Sequence, residues 1–296
     1  MNYPRRLPAF KYLMPETVAE ACSLLSQYKG KAKIIAGGTD LLPKMQMRVM
    51  APEYLVGLKN ITGMNYIQYD EVDGLRFGAM ATIHEIETSP VVRERYEVLF
   101  HAVSSMASTQ IRHMGTVAGN ICNAVPSAET APALIVLGAR LKVVSPRGER
   151  VIPIEDFFTG PSRTVLEEDE LLVEIQIPVM PAHSGGAYLK HTLRRAMDLA
   201  MVGVATFMVH EQDSCKEVKI ALGAVAPTPI RVVQAEEVLR NKKVTDRLIQ
   251  KAAEEAAKGA LPISDMRSSA EYRTEMIEVL ARRALRSAWE KATVRF

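Results

Sequence analysis

The chain has 296 residues, 48% hydrophobic and 24% charged, ordinary values for a globular protein and far from the disordered class. A formal net charge of +3, with basic clusters no denser than Arg5-Arg6, Arg194-Arg195 and Arg282-Arg283, is too thin for a nucleic-acid footprint, so no nucleic-acid partner is expected. No run approaches the roughly 18 apolar residues of a membrane span, and the start lacks the apolar region of a secretory signal, so the expected location is cytoplasmic.

The length favours about two domains, with three small ones possible. Residues 15–29 place Val18, Ala21, Cys22 and Leu25 at helical spacing, with Gly30 as a stop signal. Residues 33–36 form a short strand that breaks into Gly37-Gly38-Thr39-Asp40. Residues 53–58, 66–69 and 75–79 read as strands, the last two joined through Asp73-Gly74. Residues 83–89 and 91–106 carry helical periodicity and lead into a glycine-punctuated loop over 113–123, followed by a helix over 129–137.

Residues 139–144 and 149–154 alternate around Pro146-Arg147-Gly148 as a hairpin, and 171–178 is a further strand ended by proline. The proline, glycine and serine content of residues 179–186 marks a domain boundary. Beyond it, 200–210 and 217–225 read as paired strands, and 231–240, 246–259 and 269–292 as helices. The fold class expected is α+β, with helices and strands segregated rather than strictly alternating.

Three segments could carry chemistry. In residues 34–41 (IIAGGTDL) a strand runs into two glycines and a hydroxyl residue, a geometry that lets successive N–H groups approach a phosphate. The alternative is a tight turn with Thr39 or Asp40 capping the next helix. The run lacks the Gly-Lys-Ser/Thr of a P-loop and the third glycine of a dinucleotide fingerprint.

Residues 115–123 (GTVAGNICN) repeat the same ingredients about 80 residues later, so the two loops could face each other across one ligand with two phosphates. Alone, the second could equally be a loop that lets a helix pack closely. The third segment, residues 186–190 (GAYLK) with 194–198 (RRAMD), offers Lys190 as a cation beside a flavin and Tyr188 as an aromatic to cover the ring, or else a solvated basic surface.

The six histidines show no ligand spacing and no Gly-x-Ser-x-Gly occurs, so neither metal nor covalent hydrolase chemistry is indicated. The three cysteines, Cys22, Cys122 and Cys215, support no disulfide framework, zinc motif or iron–sulfur cluster held by this chain alone.

Taken in order, residues 34–41, 116–126 (TVAGNICNAVP) with Ser127-Ala128-Glu129, 194–206 (RRAMDLAMVGVAT), 222–231 (LGAVAPTPIR) and 271–285 (EYRTEMIEVLARRAL) resemble the FAD-binding medium subunit of molybdenum hydroxylases, the group of xanthine dehydrogenase and carbon monoxide dehydrogenase. The resemblance covers about residues 5 to 290. It implies an FAD-binding domain of the vanillyl-alcohol-oxidase (PCMH) type in two subdomains, residues 1–58 and 59–178, and a C-terminal α+β domain over 179–296. It further implies a large subunit with a molybdopterin cofactor, a small subunit with [2Fe–2S] clusters, and a dimer of heterotrimers. Electrons would reach the FAD last and leave to NAD or another external acceptor.

Carried over by position, Ile34, Ile35, Ala36, Gly37, Gly38, Thr39, Asp40 and Leu41 together with Thr116, Val117, Ala118, Gly119 and Asn120 would cradle the FAD pyrophosphate. Met106 would take a flavin-side contact, Glu129 the place of an acidic ligand, Leu172 a backbone contact and Lys190 the cation near the ring. Two departures stand out: relatives often have Gly-Gly at Ala118-Gly119 and Asp at Glu129. The cysteine-rich insertion that carries a [4Fe–4S] cluster in some relatives is absent. A free-standing flavin oxidase or dehydrogenase, and a scaffold subunit without flavin, are the competing expectations.

Overall fold

A computed structural model describes residues 6–194 and 197–294; Arg195 and Ala196 of the 194–198 segment, and Arg5 of the first basic cluster, lie outside the described residues. Three sheets succeed one another along the chain. The first is a parallel sheet in the order β1-β3-β2, from β1 (Lys11–Leu13), β2 (Ala32–Ile35) and β3 (Tyr54–Gly57), with the crossover helix α1 (Val18–Gln27) and the short α2 (Leu41–Gln46). Helix α1 buries Ala21, Cys22 and Leu25, the stripe the sequence shows, and Thr17 caps it by accepting from the Glu20 N–H.

The second sheet is antiparallel, built from β4 (Ile67–Asp70) and β5 (Gly74–Gly78) and completed by three later strands. Helices α3 (Ile83–Thr88), α4 (Pro90–Arg95), α5 (Glu97–Ser104), α6 (Thr109–Arg112), α7 (Val117–Asn123) and α8 (Thr130–Val136) intervene before β6 (Arg140–Ser145) and β7 (Gly148–Pro153). After the ribbon of β8 (Phe158–Gly160) and β9 (Arg163–Thr164), β10 (Leu171–Ile177) enters the middle, giving the order β4-β5-β10-β6-β7. The apolar run 91–106 is two helices, not one, because Tyr96 leaves helical geometry at φ −126° and ψ 49°.

The expected loop over 113–123 is corrected in its second half: Val117–Asn123 is helix α7. Thr116 caps it by accepting from the Gly119 N–H at 2.9 Å, and Val117, Ala118 and Ile121 are buried along one side. Gly119 in the first turn weakens the helical signal and hides the element from a propensity reading.

The third sheet runs β11 (Ser184–His191), β12 (Val202–Glu211), β13 (Ser214–Gly223), β14 (Ile230–Arg231), all antiparallel, and is followed by α9 (Val233–Glu237), α10 (Asp246–Lys258) and α11 (Ala270–Val294). Its strands alternate between two cores. Ala187, Val204, Met208 and Ile220 face α10 and α11, while Tyr188, Ala205, Phe207 and Ala221 join the core of the preceding sheets. A sheet covered on both faces needs apolar residues at successive positions, which is why residues 202–209 are all buried.

The boundary read at residues 179–186 ends inside a strand, since Ser184, Gly185 and Gly186 open β11. These glycines are sites of close approach rather than linker. A side-chain carbon on Gly185 would lie 2.3 Å from the Ala288 carbonyl oxygen of α11, and one on Gly186 would lie 2.3 Å from Val98 of α5.

Polar ties cross the same junction. The Lys190 ammonium donates to Glu129 at 2.8 Å, to the Ser105 carbonyl at 3.0 Å and to the Asp198 carbonyl at 2.8 Å. Both members of the Lys190–Glu129 pair are buried, with side chains 9% and 8% exposed. Lys291 of α11 pairs with Glu97 of α5 at 2.5 Å, and Arg231 of β14 with Glu155 at 3.1 Å.

Two stability measurements check this junction by thermal or denaturant unfolding. Gly185→Ala pushes against the backbone of α11 and is expected to cost about 1–3 kcal/mol. Lys190→Met strands a buried carboxylate and is expected to cost about 3–5 kcal/mol, whereas Lys190→Met with Glu129→Leu recovers much of the loss. A single variant as stable as the parent would show that Glu129 finds water or another donor.

Candidate functional site

Strand β2 delivers the first glycine loop at its carboxyl end. Gly38 turns the chain at φ +71°, a left-handed conformation that glycine adopts without a side-chain penalty. Helix α2 starts after Asp40, whose side chain makes no capping hydrogen bond. The N–H groups of Gly38, Thr39 and Asp40 meet no acceptor among the described residues.

The second loop, between α6 and α7, comes up against the first. A side-chain carbon on Gly37 would sit 1.8 Å from the Met114 carbonyl oxygen, and one on Gly115 would sit 3.3 Å from Thr39 Oγ1. The Ile83 N–H donates to the Gly115 carbonyl at 2.9 Å, which ties this loop to the start of α3. Thr130 Oγ1 donates to Asn120 Oδ1 at 2.6 Å, so α8 sets how the Asn120 amide is presented.

Between the loops lies a cavity of about 560 Å³, within the about 300–1,000 Å³ common for cofactor pockets. Ile34, Ile35, Ala36, Gly37, Gly38, Thr39, Asp40, Leu41, Met106, Thr116, Ala118, Gly119, Asn120, Glu129 and Leu172 all line it. Two expected residues do not. Val117 is wholly buried in the core behind α7, and Lys190 lies outside the lining, holding Glu129 from behind.

Several walls are positioned by neighbours. Arg112 donates to the Met106 carbonyl at 2.8 Å and pairs with Glu87, also at 2.8 Å, which fixes the chain next to Ala107 at φ +45°. Leu172 sits where the pairing of β10 with β6 shifts register, the kind of bulge that re-aims backbone beside a site. Tyr188 does not cover the cavity. Its ring is buried in the interdomain core, its hydroxyl has no partner among the described residues, and burial followed by the nearby Glu129 charge pushes the phenol well above its usual range.

The lining also includes residues to which the sequence reading assigns no cofactor contact. Met197, Asp198 and Leu199 reach it from the connection between β11 and β12, Ser162 from the β8–β9 turn, and Lys44, Cys122 and Asn123 from α2 and α7. The first three lie in or beside the 194–198 segment, and Cys122 and Asn123 lie in the 115–123 segment; Ser162 and Lys44 carry no local signal at all. The Arg194 N–H donates to the Asp198 carboxylate at 2.9 Å and holds it below the usual carboxylate range. The described residues contain no cluster of metal-ligating side chains, and no helix is long and apolar enough to cross a membrane.

These residues fit FAD. Glycine backbone leaves room for close approach and unpaired N–H groups point to an anion, while Ile34, Ile35, Leu58, Met106, Val125 and Leu172 supply apolar wall for flat rings. Asp40 and Leu41 at the start of α2, and Thr116 to Asn120 at the start of α7, place the remaining polar groups.

The comparisons agree with this geometry. Residues 8–180 match the family described as the FAD binding domain in molybdopterin dehydrogenase, and residues 187–288 match the CO dehydrogenase flavoprotein C-terminal domain. The chain is 34% identical to the carbon monoxide dehydrogenase medium chain of Hydrogenophaga pseudoflava over 284 residues, covering 96% of this chain and 98% of that one. It is 33% identical to the xanthine dehydrogenase FAD-binding subunit of Escherichia coli O157:H7, covering 94% of this chain and 95% of the relative. Among solved structures, carbon monoxide dehydrogenase from Hydrogenophaga pseudoflava superposes with a TM-score of 0.94 at 35% identity, covering 97% of this chain and 99% of that one. Quinoline 2-oxidoreductase from Pseudomonas putida 86 does so with a TM-score of 0.90 at 30% identity, covering 97% and 99%. This chain therefore belongs to the FAD-binding medium subunits of the molybdenum hydroxylases, the xanthine and carbon monoxide dehydrogenase family of oxidoreductases, and its cofactor is FAD.

Proposed function

We propose that this chain is the electron-relay subunit of a molybdenum hydroxylase, working in the cytoplasm beside a large subunit that holds the molybdopterin cofactor and a small subunit that holds [2Fe–2S] clusters. When bound, FAD supplies the redox chemistry, taking electrons from those clusters and releasing them to NAD or another external acceptor. The complex is a dimer of heterotrimers, and its substrate is chosen at the molybdenum site of the partner. The observation that carries the reading is the meeting of the two glycine loops across one cavity, with Gly37 against the Met114 carbonyl and unpaired N–H groups beside it.

The chain's own residues bind and orient. The backbone from Ile34 to Leu41 and from Thr116 to Asn120 takes the pyrophosphate, with Val117 contributing backbone only because its side chain faces the core. Met106 and Leu172 flank the rings, while Glu129, held by Lys190, presents a fixed carboxylate at the wall. Residues 1–58 and 59–178 act as the two halves that close on the cofactor, and 179–296 as the domain that covers it.

A relay subunit needs no catalytic acid or base. Of the carboxylates in the lining, Glu129 is bound to Lys190 and Asp198 to Arg194, and Asp40 is exposed at the start of α2. That arrangement favours the relay over a free-standing flavin oxidase, which would need a poised group beside the ring.

Purification with the co-encoded neighbours, an absorbance spectrum and mass analysis of the released cofactor test the reading. FAD on this chain with cluster and molybdenum signals in the complex is the expected result; an intact complex without flavin would sink it. Gly37→Ala drives a methyl group into the Met114 carbonyl, and retained FAD is expected to fall by about tenfold or more with the far-ultraviolet circular dichroism unchanged.

A further inference from the structure

The cavity wall carries two ammonium groups that pair with no carboxylate among the described residues, those of Lys33 and Lys44. Lys33 lies on β2 and is exposed. Lys44 is half-buried on α2, and its Nζ donates to Asn123 Oδ1 at the end of α7. An ammonium has three N–H donors. Asn123 takes one, and the others meet no acceptor among the described residues.

The placement joins the two halves of the site. Lys44 follows the first glycine loop on the helix that loop opens, and Asn123 closes the helix opened by the second. Both anion-presenting elements thus converge on one cation. The lining's carboxylates make no ion pair with it among the described residues: Glu129 is held by Lys190, Asp198 by Arg194, and Asp40, at the start of the same helix, is exposed to solvent; Asn123 is a neutral amide. A partly desolvated cation whose one side-chain partner is neutral favours an anion, and charge-assisted hydrogen bonds are the strong ones at such a site.

We infer that Lys44 is an anion-binding residue of the FAD site, with Asn123 as its positioning residue, and that its free donors take a phosphate of the cofactor. The inference rests on the reading that this cavity holds FAD. Lys44 then adds a full positive charge where the glycine loops contribute only backbone dipoles, and the Lys44–Asn123 bond holds α2 and α7 at the spacing the cofactor requires.

The test is a titration of the flavin-depleted full chain with FAD, followed by flavin fluorescence at several salt concentrations. Lys44→Met is expected to raise Kd by about tenfold or more, the loss of one charge-assisted hydrogen bond, and to flatten the dependence of Kd on salt. Lys44→Arg retains most of the affinity. Lys44→Met with Asn123→Leu, which replaces the bond by an apolar contact between the helices, binds FAD as weakly as Lys44→Met alone. Equal melting midpoints of the flavin-depleted variants accompany these results. The inference fails if Lys44→Met binds FAD as the parent does with the same salt slope, or if the double variant regains the parent's affinity, which would make the Lys44–Asn123 bond a strut only. A parent chain that takes up no FAD at any salt concentration would overturn the flavin reading itself, and this inference with it.

Discussion

The Met114 carbonyl oxygen lies 1.8 Å from the place a side-chain carbon on residue 37 would occupy. Backbone can come this close to backbone only where a residue has no side chain, and the consequence reaches across the site. The loop after β2 and the loop before α7 form one surface, although the first follows a strand of the first sheet, the second joins two helices, and the two stand far apart in the chain. The N–H groups of Gly38, Thr39 and Asp40 then meet no acceptor among the described residues, while on the facing loop those of Met114 and Gly115 donate to the Ile111 carbonyl and that of Gly119 to Thr116 Oγ1. Thr39 against Gly115, and Ile83 against the Gly115 carbonyl, continue the same contact.

The third sheet stabilises this arrangement from behind. Because its strands are apolar on both faces, it serves at once as the floor of the C-terminal core and as a wall of the preceding one. Its attachment is specific as well as greasy. Gly185 and Gly186 let α11 and α5 approach the strand, and Lys190 gathers Ser105, Glu129 and Asp198, which come from three different segments, around one ammonium. Glu129 and Asp198 both belong to the cavity wall, so the spacing of the wall depends on how the C-terminal domain is seated.

Charge is distributed in a way that suits a cofactor more than a substrate undergoing acid–base chemistry. Among the described residues, the lining's buried carboxylate, Glu129, is already paired, Asp198 is held by a backbone N–H, Asp40 is exposed, and the cation on α2 bonds an amide and no carboxylate. A site of this kind presents fixed charge and fixed backbone dipoles to an anionic ligand.

Much of this was legible in the sequence. The strand-to-glycine transition at Ile35-Ala36-Gly37-Gly38 and the ingredients at Thr116 to Asn120 are local patterns, set by backbone freedom and capping chemistry over a few residues, so they could be identified without a fold. The paired apolar strands read at 200–210 and 217–225, which the structure places at Val202–Glu211 and Ser214–Gly223, and the long last helix are likewise local, because their apolar runs report burial directly. Tertiary structure alone decided what those patterns do together. It made α7 a helix despite Gly119, turned Gly185 and Gly186 from a linker signal into a strand beneath α11, withdrew Tyr188 and the Val117 side chain into the core, and set Lys190 behind the wall rather than in it. It also brought Lys44 to Asn123 across 79 positions. Contacts of that range depend on how whole sheets and helices pack, and no spacing of neighbouring residues encodes them.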